Sequence, residues 1–300
     1  MKTVIIIGAG QMGTSVAGLL NPNRVKLLGF GDNNPDKWSG DSAENEASVK
    51  NNEQLIKNGS LPIMSVESAI KLDPEMIIIG VIGEERSSQL INQIKKLGYN
   101  NEILLLTDVY ELFDIRSATI HKIIEQLKEK SVLGAIAELG VFKGDTAWQL
   151  NALMPDRKLY LFDTFEGFDS TDVDVEREKK YSGAKEGDFS DTSVEKILER
   201  FSYSEQIVVR KGYFPDTADG LEHEHYAFVS LDADLYAPTL SGLEYFYPRL
   251  SSGGVIVLHD YGNSQFTGVK AAVEEYEKEH GQLIIVPLVD LHRSCVIVHP

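Results

Sequence analysis

One pattern occurs twice in this chain of 300 residues: an apolar run, a glycine turn, a helical stripe and a second apolar run that ends on an aspartate. The first copy spans residues 3–32 and the second spans residues 134–163. Continuous apolar runs of this length predict strands that are buried on both faces of a parallel sheet. Because parallel strands need a crossover helix between them, the sequence predicts an α/β protein with two doubly wound domains.

The first copy reads as a dinucleotide-binding fingerprint. Its turn contains Gly8, Gly10 and Gly13, and Asp32 follows at the end of the next strand. Glycine lets the backbone approach a ligand closely, amides at a helix start bind pyrophosphate, and such an acid accepts ribose hydroxyls. We therefore treat these four residues as a candidate nucleotide site in a Rossmann-like domain.

Residues 1–113 are predicted to form this smaller domain, with residues 114–300 as the second. Further strands are expected at 62–64, 76–81 and 102–106, a helix at 85–97, and a loop with a weak helix at 39–58. One long helix, Asp108–Lys130, is expected to bridge the domains. No convincing catalytic set accompanies the glycine turn, so three alternatives stay open: a structural module, a nucleotide or nucleotide-sugar site, or the NAD(P) site of an oxidoreductase.

The second domain contains seven apolar runs with helical stripes between most of them. The strands are expected at 134–139, 159–162, 207–210, 227–231, 254–258, 283–286 and 295–298. The last two follow each other closely, which favours an antiparallel edge hairpin, as in class I methyltransferases that use S-adenosylmethionine. In such sheets the ligand lies beyond the carboxyl ends of the strands.

The second glycine turn predicts a nucleoside-cofactor site at that edge. Glu138 ends the first strand, Gly140 and Gly144 form the turn, and Asp163 ends the second strand. An acid at this position can accept both hydroxyls of a ribose. The pattern by itself fits NAD as well as S-adenosylmethionine.

Carboxylates also follow two later strands. Asp232 and Asp234 leave one strand, and His259 and Asp260 leave the next. If the two strands are neighbours, three carboxylates converge, and one of them must take a proton unless a cation is present. Hard oxygen ligands suit Mg²⁺. The alternative is that Asp232 or Asp234 caps the helix that begins near Ala237.

Five blocks of the second domain, in order, resemble the macrocin O-methyltransferase (TylF/MycF) family. They are A-E-L-G-V-F-K-G (137–144), L-Y-L-F-D-T-F-E-G-F (159–168), G-D-F-S-D-T-S (187–193), L-D-A-D-L-Y (231–236) and H-D-Y-G (259–262). The family usually has Asp-Asp-Tyr where this chain has His259-Asp260-Tyr261. The resemblance begins near Leu133 and leaves the first domain out.

The resemblance implies an S-adenosylmethionine- and Mg²⁺-dependent enzyme that methylates a sugar hydroxyl. It implies that the turn from Glu138 to Gly144 approaches the methionine part of the donor, and that Asp163 and Thr164 lie at the ribose. The residues implied near the adenine are Asp188, Ser193 and Gly212. Asp232 would be the base beside the donor, Asp234 and Asp260 would join it at the metal, and His259 would be a ligand, a base or an outer donor. The acceptor would be a sugar or nucleotide-sugar, and relatives are commonly oligomers.

Net charge and cysteine content limit the remaining function classes. Lys and Arg number 29 against 46 Asp and Glu, a net charge of −17. This charge argues against nucleic acid and anionic membranes as partners. The single cysteine, Cys295, suits a reducing cytoplasm, and we expect neither a signal peptide nor a membrane span. The polar stretch 169–185 lacks a helical stripe and is expected to be a mobile lid over the acceptor or a plain surface loop.

Overall fold

The computed structural model describes residues 1–39 and 61–300. Contacts divide the chain into two compact units, Met1–Asp114 and Ile115–Pro300. Apart from Ser39, the loop and weak helix expected at 39–58 lie outside the described residues. No helix in the described ranges is long and apolar enough to cross a bilayer.

Unit 1 contains a parallel five-stranded sheet with the strand order β3-β2-β1-β4-β5. The strands are β1 (Lys2–Ile7), β2 (Val25–Gly31), β3 (Ile63–Met64), β4 (Met76–Ile79) and β5 (Glu102–Leu105). The helices are α1 (Gln11–Leu19), α2 (Val66–Lys71), α3 (Glu84–Lys96) and α4 (Leu106–Leu112).

The core of unit 1 consists of the apolar runs that the sequence marks as strands. Ile5, Ile7, Ile77 and Ile79 are almost completely buried in one cluster. The first turn of α1 packs directly on β1, because a Cβ added to Gly13 would lie 1.8 Å from the carbonyl oxygen of Gly8. Gly13 is therefore required by helix–strand packing.

Unit 2 contains a seven-stranded sheet with the order β11-β12-β10-β9-β6-β7-β8. The strands are β6 (Ala135–Leu139), β7 (Leu159–Asp163), β8 (Ile207–Lys211), β9 (Tyr226–Leu231), β10 (Leu250–Leu258), β11 (Ile284–Pro287) and β12 (Cys295–Val298). The helices are α5 (Ile115–Glu129), α6 (Asp145–Leu153), α7 (Ser170–Lys179), α8 (Val194–Leu198), α9 (Tyr236–Phe246) and α10 (Thr267–His280).

The pairing of these strands confirms the predicted fold class. Strands β6 to β10 pair in parallel, whereas β12 is antiparallel to both β10 and β11. Two clusters of buried apolar side chains cover the sheet. Because β6 and β9 are neighbours, and β9 and β10 are neighbours, their carboxyl ends meet at one edge.

Two expectations about helices were wrong. The single helix expected at 108–130 is two helices, since α4 ends at Leu112 and α5 begins at Ile115. The stretch 169–185 contains α7, which the sequence pattern did not predict. Its buried face includes Asp172 and Glu176 beside Val173, so the buried positions are not marked by apolar residues.

Helix α1 offers a matched pair of glycines that tests its packing. We expect Gly13→Ala to lower the unfolding free energy of unit 1 by about 3 kcal/mol, the upper end of the usual overpacking cost. Gly18→Ala meets no atom within 4 Å and is exposed, so it should be neutral or stabilise by up to about 1 kcal/mol. Hydrogen exchange of the β1 amides measures both, and equal effects of the two substitutions would contradict the packing argument.

Candidate functional site

The carboxyl ends of β6, β9 and β10 place the predicted chemical groups in one region of unit 2. The turn after β6 touches the turn after β9, because a Cβ added to Gly140 would lie 2.0 Å from the carbonyl oxygen of Asp232. Gly140 has φ of +85°, which also favours glycine. The predicted cofactor turn and the predicted carboxylate turn are therefore in direct backbone contact.

Asp163 braces the glycine turn. Its Oδ2 accepts hydrogen bonds from the amides of Val141 (2.6 Å) and Phe142 (3.0 Å), and its Oδ1 accepts one from the amide of Phe165 (2.6 Å). Each carboxylate oxygen has two lone-pair sites, so Oδ1 can still accept a ligand hydroxyl. Gly144 begins α6 with φ of +74°, and a Cβ there would lie 2.7 Å from Ile197.

Glu138 is the buried acid of this turn. It is 2% exposed, and its Oε2 has no hydrogen-bond partner among the described residues. Burial, together with the neighbouring charge of Asp232, raises the pKa of Glu138 well above its ordinary value. An unpartnered buried carboxyl oxygen is costly, and a bound group that donates hydrogen bonds would satisfy it.

Four side chains form the carboxylate cluster: Asp232, Asp234, His259 and Asp260. Each offers one oxygen or nitrogen atom, and these atoms all lie within 4.8 Å of one another. Asp234 and Asp260 have φ of +59° and +56°. Left-handed backbone at non-glycine residues is unfavourable and is concentrated at functional sites.

The contacts inside the carboxylate cluster are close but poorly aligned for hydrogen bonding. Nδ1 of His259 lies 2.7 Å from Oδ1 of Asp232 and 3.0 Å from Oδ2 of Asp260. Neither nitrogen of His259 has a well-aligned hydrogen-bond partner among the described residues. Mg²⁺ takes oxygen ligands, and the three carboxylates of the cluster offer such oxygens within 4.8 Å of one another, so the donor set fits a divalent cation.

The electrostatics of the carboxylate cluster follow from burial and crowding. Burial, then the charge of Asp232, raises the pKa of Asp234 well above its ordinary value. Burial acts to lower the pKa of His259, but Asp232 and Asp260 outweigh it and raise that pKa to about 10. These shifts favour the protonated forms of Asp234 and His259.

Sequence reasoning missed three side chains that complete the carboxylate cluster. Nη1 of Arg116, in α5, lies 2.9 Å from Oδ2 of Asp232. Nδ2 of Asn263 donates to Oδ1 of Asp260 at 2.6 Å. The ring of His292 lies 4.9 Å from that of His259. Arg116 and His292 come from segments that are distant in the sequence, and no local motif predicts their place in the cluster.

The structure shows where the other predicted cofactor residues lie. Oγ1 of Thr164 donates to the carbonyl of Gly167, and Ser193 is the N-cap of α8. The amide of Gly212 donates to the carbonyl of Asp163, so Gly212 lies beside the end of β7. Asp188 is exposed, and its Oδ2 accepts from the amide of Lys185.

A groove of about 750 Å³ lies between two loops of unit 2. One loop follows α7, and the other precedes α10. Its lining combines aromatic Tyr181, Phe189 and Phe266 with polar Lys180, Ser182, Ser264 and Gln265. Its size is typical of a small-molecule site.

The glycine turn of unit 1 has a different set of contacts. Asp32 accepts hydrogen bonds from the amides of Ala9 and Asn34, and its Oδ2 lies 3.0 Å from Nζ of Lys37. A Cβ on Gly8 would lie 2.9 Å from Val81, whereas a Cβ on Gly10 meets nothing within 4 Å. Gly8 and Gly13 are thus explained by packing, and Gly10 is the open position of the turn.

Comparison with known proteins identifies the relatives of unit 2. A family model described as "Macrocin-O-methyltransferase (TylF)" matches residues 113–299. Mycinamicin III 3''-O-methyltransferase of Micromonospora griseorubida is 28% identical over 185 residues, covering 58% of this chain and 71% of that protein. A tetracenomycin-derivative 4'-O-methyltransferase, acting on a dimethoxy-rhamnosyl compound, from Streptomyces olivaceus is 28% identical over 53% of this chain and 63% of its own length.

Solved structures share the fold. The O-methyltransferase NovP aligns with a TM-score of 0.51 and 22% identity, covering 61% of this chain and 79% of NovP. The calicheamicin methyltransferase CalS11 aligns with a TM-score of 0.51 and 18% identity, covering 88% of this chain and 96% of CalS11.

Asp163→Asn tests the bracing of the glycine turn. Asp163 accepts hydrogen bonds from three backbone amides. In the asparagine variant the NH₂ group, which is a donor, must face at least one of these amide donors. We expect a loss of about 1–3 kcal/mol in the unfolding free energy of unit 2, with faster hydrogen exchange at Val141 and Phe142. Glu166→Gln is the control, since Glu166 is exposed and its ion pair with Lys211 lies at the surface, so its effect should stay within about 0.5 kcal/mol. Unchanged exchange in Asp163→Asn would contradict this role.

Proposed function

Because the chain belongs to the macrocin O-methyltransferase family and is an S-adenosylmethionine-dependent O-methyltransferase, we propose that its acceptor is a sugar hydroxyl. We further propose that Mg²⁺ assists the transfer. The acceptor is a sugar, a nucleotide-sugar or a glycosylated small molecule. The observation that carries the proposal is the contact between Gly140 and Asp232. It puts the carboxylate cluster directly beside the turn that approaches the methyl donor.

The groove supports a sugar as the acceptor. Aromatic rings stack on the apolar faces of a sugar ring, and Ser, Gln and Lys side chains form hydrogen bonds with its hydroxyls. Tyr181, Phe189 and Phe266 supply the rings, and Ser264 and Gln265 supply polar groups. The name of the relative from Streptomyces olivaceus also describes methylation of a rhamnosyl compound.

The donor site is proposed to extend from Glu138 to Gly212. Glu138 would accept hydrogen bonds from the ammonium group of the methionine part, since its Oε2 is buried and unpartnered. Asp163 would accept the ribose hydroxyls while its amide contacts keep the carboxylate in place. Gly212, Asp188 and Ser193 would lie near the adenine.

The metal site is proposed at Asp232, Asp234 and Asp260. When bound there, Mg²⁺ would lower the pKa of an acceptor hydroxyl, and S-adenosylmethionine would supply the methyl group. Three observations support this fit. The carboxylate oxygens are crowded, Oδ1 of Asp232 lies 2.7 Å from Nδ1 of His259, and no described residue forms an aligned hydrogen bond with the His259 ring. The alternative that Asp232 or Asp234 caps α9 is wrong, because the N-cap residue is Leu235 and the first amide donates to another side chain.

The protein residues then position the acceptor and take its proton. Asp232 would accept the proton, and His259, whose Nδ1 lies 2.7 Å from Oδ1 of Asp232, would keep that carboxylate charged, because the raised pKa of His259 favours its protonated form. Arg116 holds the other oxygen of Asp232, which keeps that carboxylate oriented. Burial raises the pKa of Asp232, but His259 and Arg116 outweigh it and hold that pKa well below its ordinary value. Positioning of the two substrates supplies most of the rate.

We expect EDTA to abolish methyl transfer to a sugar acceptor and added Mg²⁺ to restore it. Transfer of labelled methyl from S-adenosylmethionine to a panel of sugars and nucleotide-sugars measures this. In a thermal unfolding assay without acceptor, Mg²⁺ at about 100 times its Kd should stabilise unit 2 by about 2.7 kcal/mol.

Asp234→Asn provides the test at the metal site. The substitution removes one anionic ligand. Loss of a residue that only supports a metal ligand typically weakens metal binding about 10- to 100-fold, and we expect a larger loss here. Asp219→Asn is the matched control, because Asp219 is exposed and outside the carboxylate cluster. Full activity in EDTA would exclude the metal from this mechanism, and equal Mg²⁺ affinity in the two variants would exclude Asp234 as a ligand.

A further inference from the structure

Both helices that follow the carboxylate cluster begin without a cap of their own. Helix α9 begins at Tyr236, two residues after Asp234, and α10 begins at Thr267, after the loop that carries Asp260. Their N-cap residues are Leu235 and Phe266, and neither has a side-chain cap hydrogen bond or an acidic residue in its first turn. The first amides of a helix need acceptors, so these must come from elsewhere.

One segment, the strap of residues 170–181, supplies both. Oε1 of Glu176 accepts from the amide of Tyr236 at 2.8 Å, in a buried contact. The carbonyl of Tyr181 accepts from the amide of Thr267 at 3.1 Å and from its Oγ1 at 2.8 Å. The strap is closed on itself, because the amide of Tyr181 donates to the carbonyl of Glu176 at 3.0 Å.

The packing at this junction is tight. Glu176 is 1% exposed. A Cβ added to Gly268 would lie 2.6 Å from Oε1 of Glu176 and 3.1 Å from the amide nitrogen of Tyr236. Gly268 thus lets the start of α10 reach the same point at which Glu176 meets α9.

The second oxygen of Glu176 indicates that stability alone does not explain the residue. Oε2 is buried and has no hydrogen-bond partner among the described residues. A buried carboxylate with one unpartnered oxygen is a weak source of stability. The contact of Glu176 with Tyr236 lies at the start of α9, two residues from the left-handed backbone of Asp234.

We propose that Glu176 is a positioning residue for the carboxylate cluster and that the strap fixes the starts of α9 and α10 together. This inference rests on the proposed function, because it concerns how the metal-binding carboxylates are held. The hydrogen bond to Tyr236 fixes the turn Asp232–Leu235, and the bond to Thr267 fixes the loop after Asp260. The strap also forms one wall of the groove through Lys180 and Tyr181, so it joins the acceptor site to the cluster.

Glu176→Met and Glu176→Gln separate the effect of the hydrogen bond to Tyr236 from the effect of side-chain size. Met removes the acceptor at similar length, whereas Gln keeps an oxygen that can accept from Tyr236. With Mn²⁺ as the probe, followed by electron paramagnetic resonance, we expect Glu176→Met to weaken binding about 10-fold or more, as outer partners do. Glu176→Gln should restore most of the affinity. Glu178→Gln is the control, since Glu178 is exposed on the same helix.

Hydrogen exchange at Tyr236 and Ala237 reports the cap without any metal. We expect faster exchange there in Glu176→Met and near-normal exchange in Glu176→Gln. A folded Glu176→Met protein that binds Mn²⁺ as tightly as the unmodified chain would overturn the inference. If Glu176→Met does not fold, Glu176→Asp, which withdraws the carboxylate by one methylene, is measured instead, and unchanged affinity there has the same meaning.

The two proposals fail in different ways. If the unmodified chain binds no Mn²⁺ in the presence of the demethylated donor, the metal assignment is wrong and the positioning of a metal site falls with it. If the unmodified chain binds Mn²⁺ and Glu176→Met changes only the exchange at Tyr236, the metal assignment stands and Glu176 is merely structural.

Discussion

The contact between the turn after β6 and the turn after β9 is the constraint on which the rest of unit 2 depends. Gly140 packs so closely on the carbonyl of Asp232 that no side chain fits between them. The amide of Asp232 donates to the carbonyl of Leu139 at 2.8 Å, which fixes the two strand ends relative to each other. The glycine turn and the acidic turn therefore form one backbone unit, and the remaining residues of the candidate site are arranged around it.

That arrangement crowds acidic groups, and the surrounding residues reduce the resulting repulsion. Arg116 pairs with Asp232, Asn263 donates to Asp260, and His259 lies between the two carboxylates. Burial, followed by the charge of Asp232, still raises the pKa of Asp234. Left-handed backbone at Asp234 and Asp260 adds strain to the same turns. Such turns need external support, and Glu176 and Tyr181 provide acceptors where the helices behind them have none.

Local sequence predicted the parts of the site that follow directly from strands. Glu138, Asp163, Asp232 and Asp260 end or follow apolar runs, and parallel topology brings such ends together without further information. Arg116 and His292 were missed because they reach the site from helix α5 and from the segment before β12, far along the chain. Helix α7 was missed because its buried face contains Asp172 and Glu176, so hydrophobic periodicity does not reveal it. The hydrogen bonds of these carboxylates to Tyr213 and Tyr236 stabilise that face, and they depend on the tertiary fold.

The two glycine turns show why a fingerprint alone does not define a ligand. In both, an aspartate at the end of the next strand accepts a hydrogen bond from an amide of the turn, Asp32 from Ala9 and Asp163 from Val141. The same backbone geometry therefore forms whether or not chemistry follows. The two aspartates differ in their neighbours. Asp32 pairs with Lys37, whereas the hydrogen bonds that Asp163 accepts from the described residues come from backbone amides. Unit 2 also contains the buried Glu138 and the four side chains of the carboxylate cluster. In the proposed mechanism, the chemistry of unit 2 thus depends on the groups that β9 and β10 add to the turn, since the turn itself is shared with unit 1.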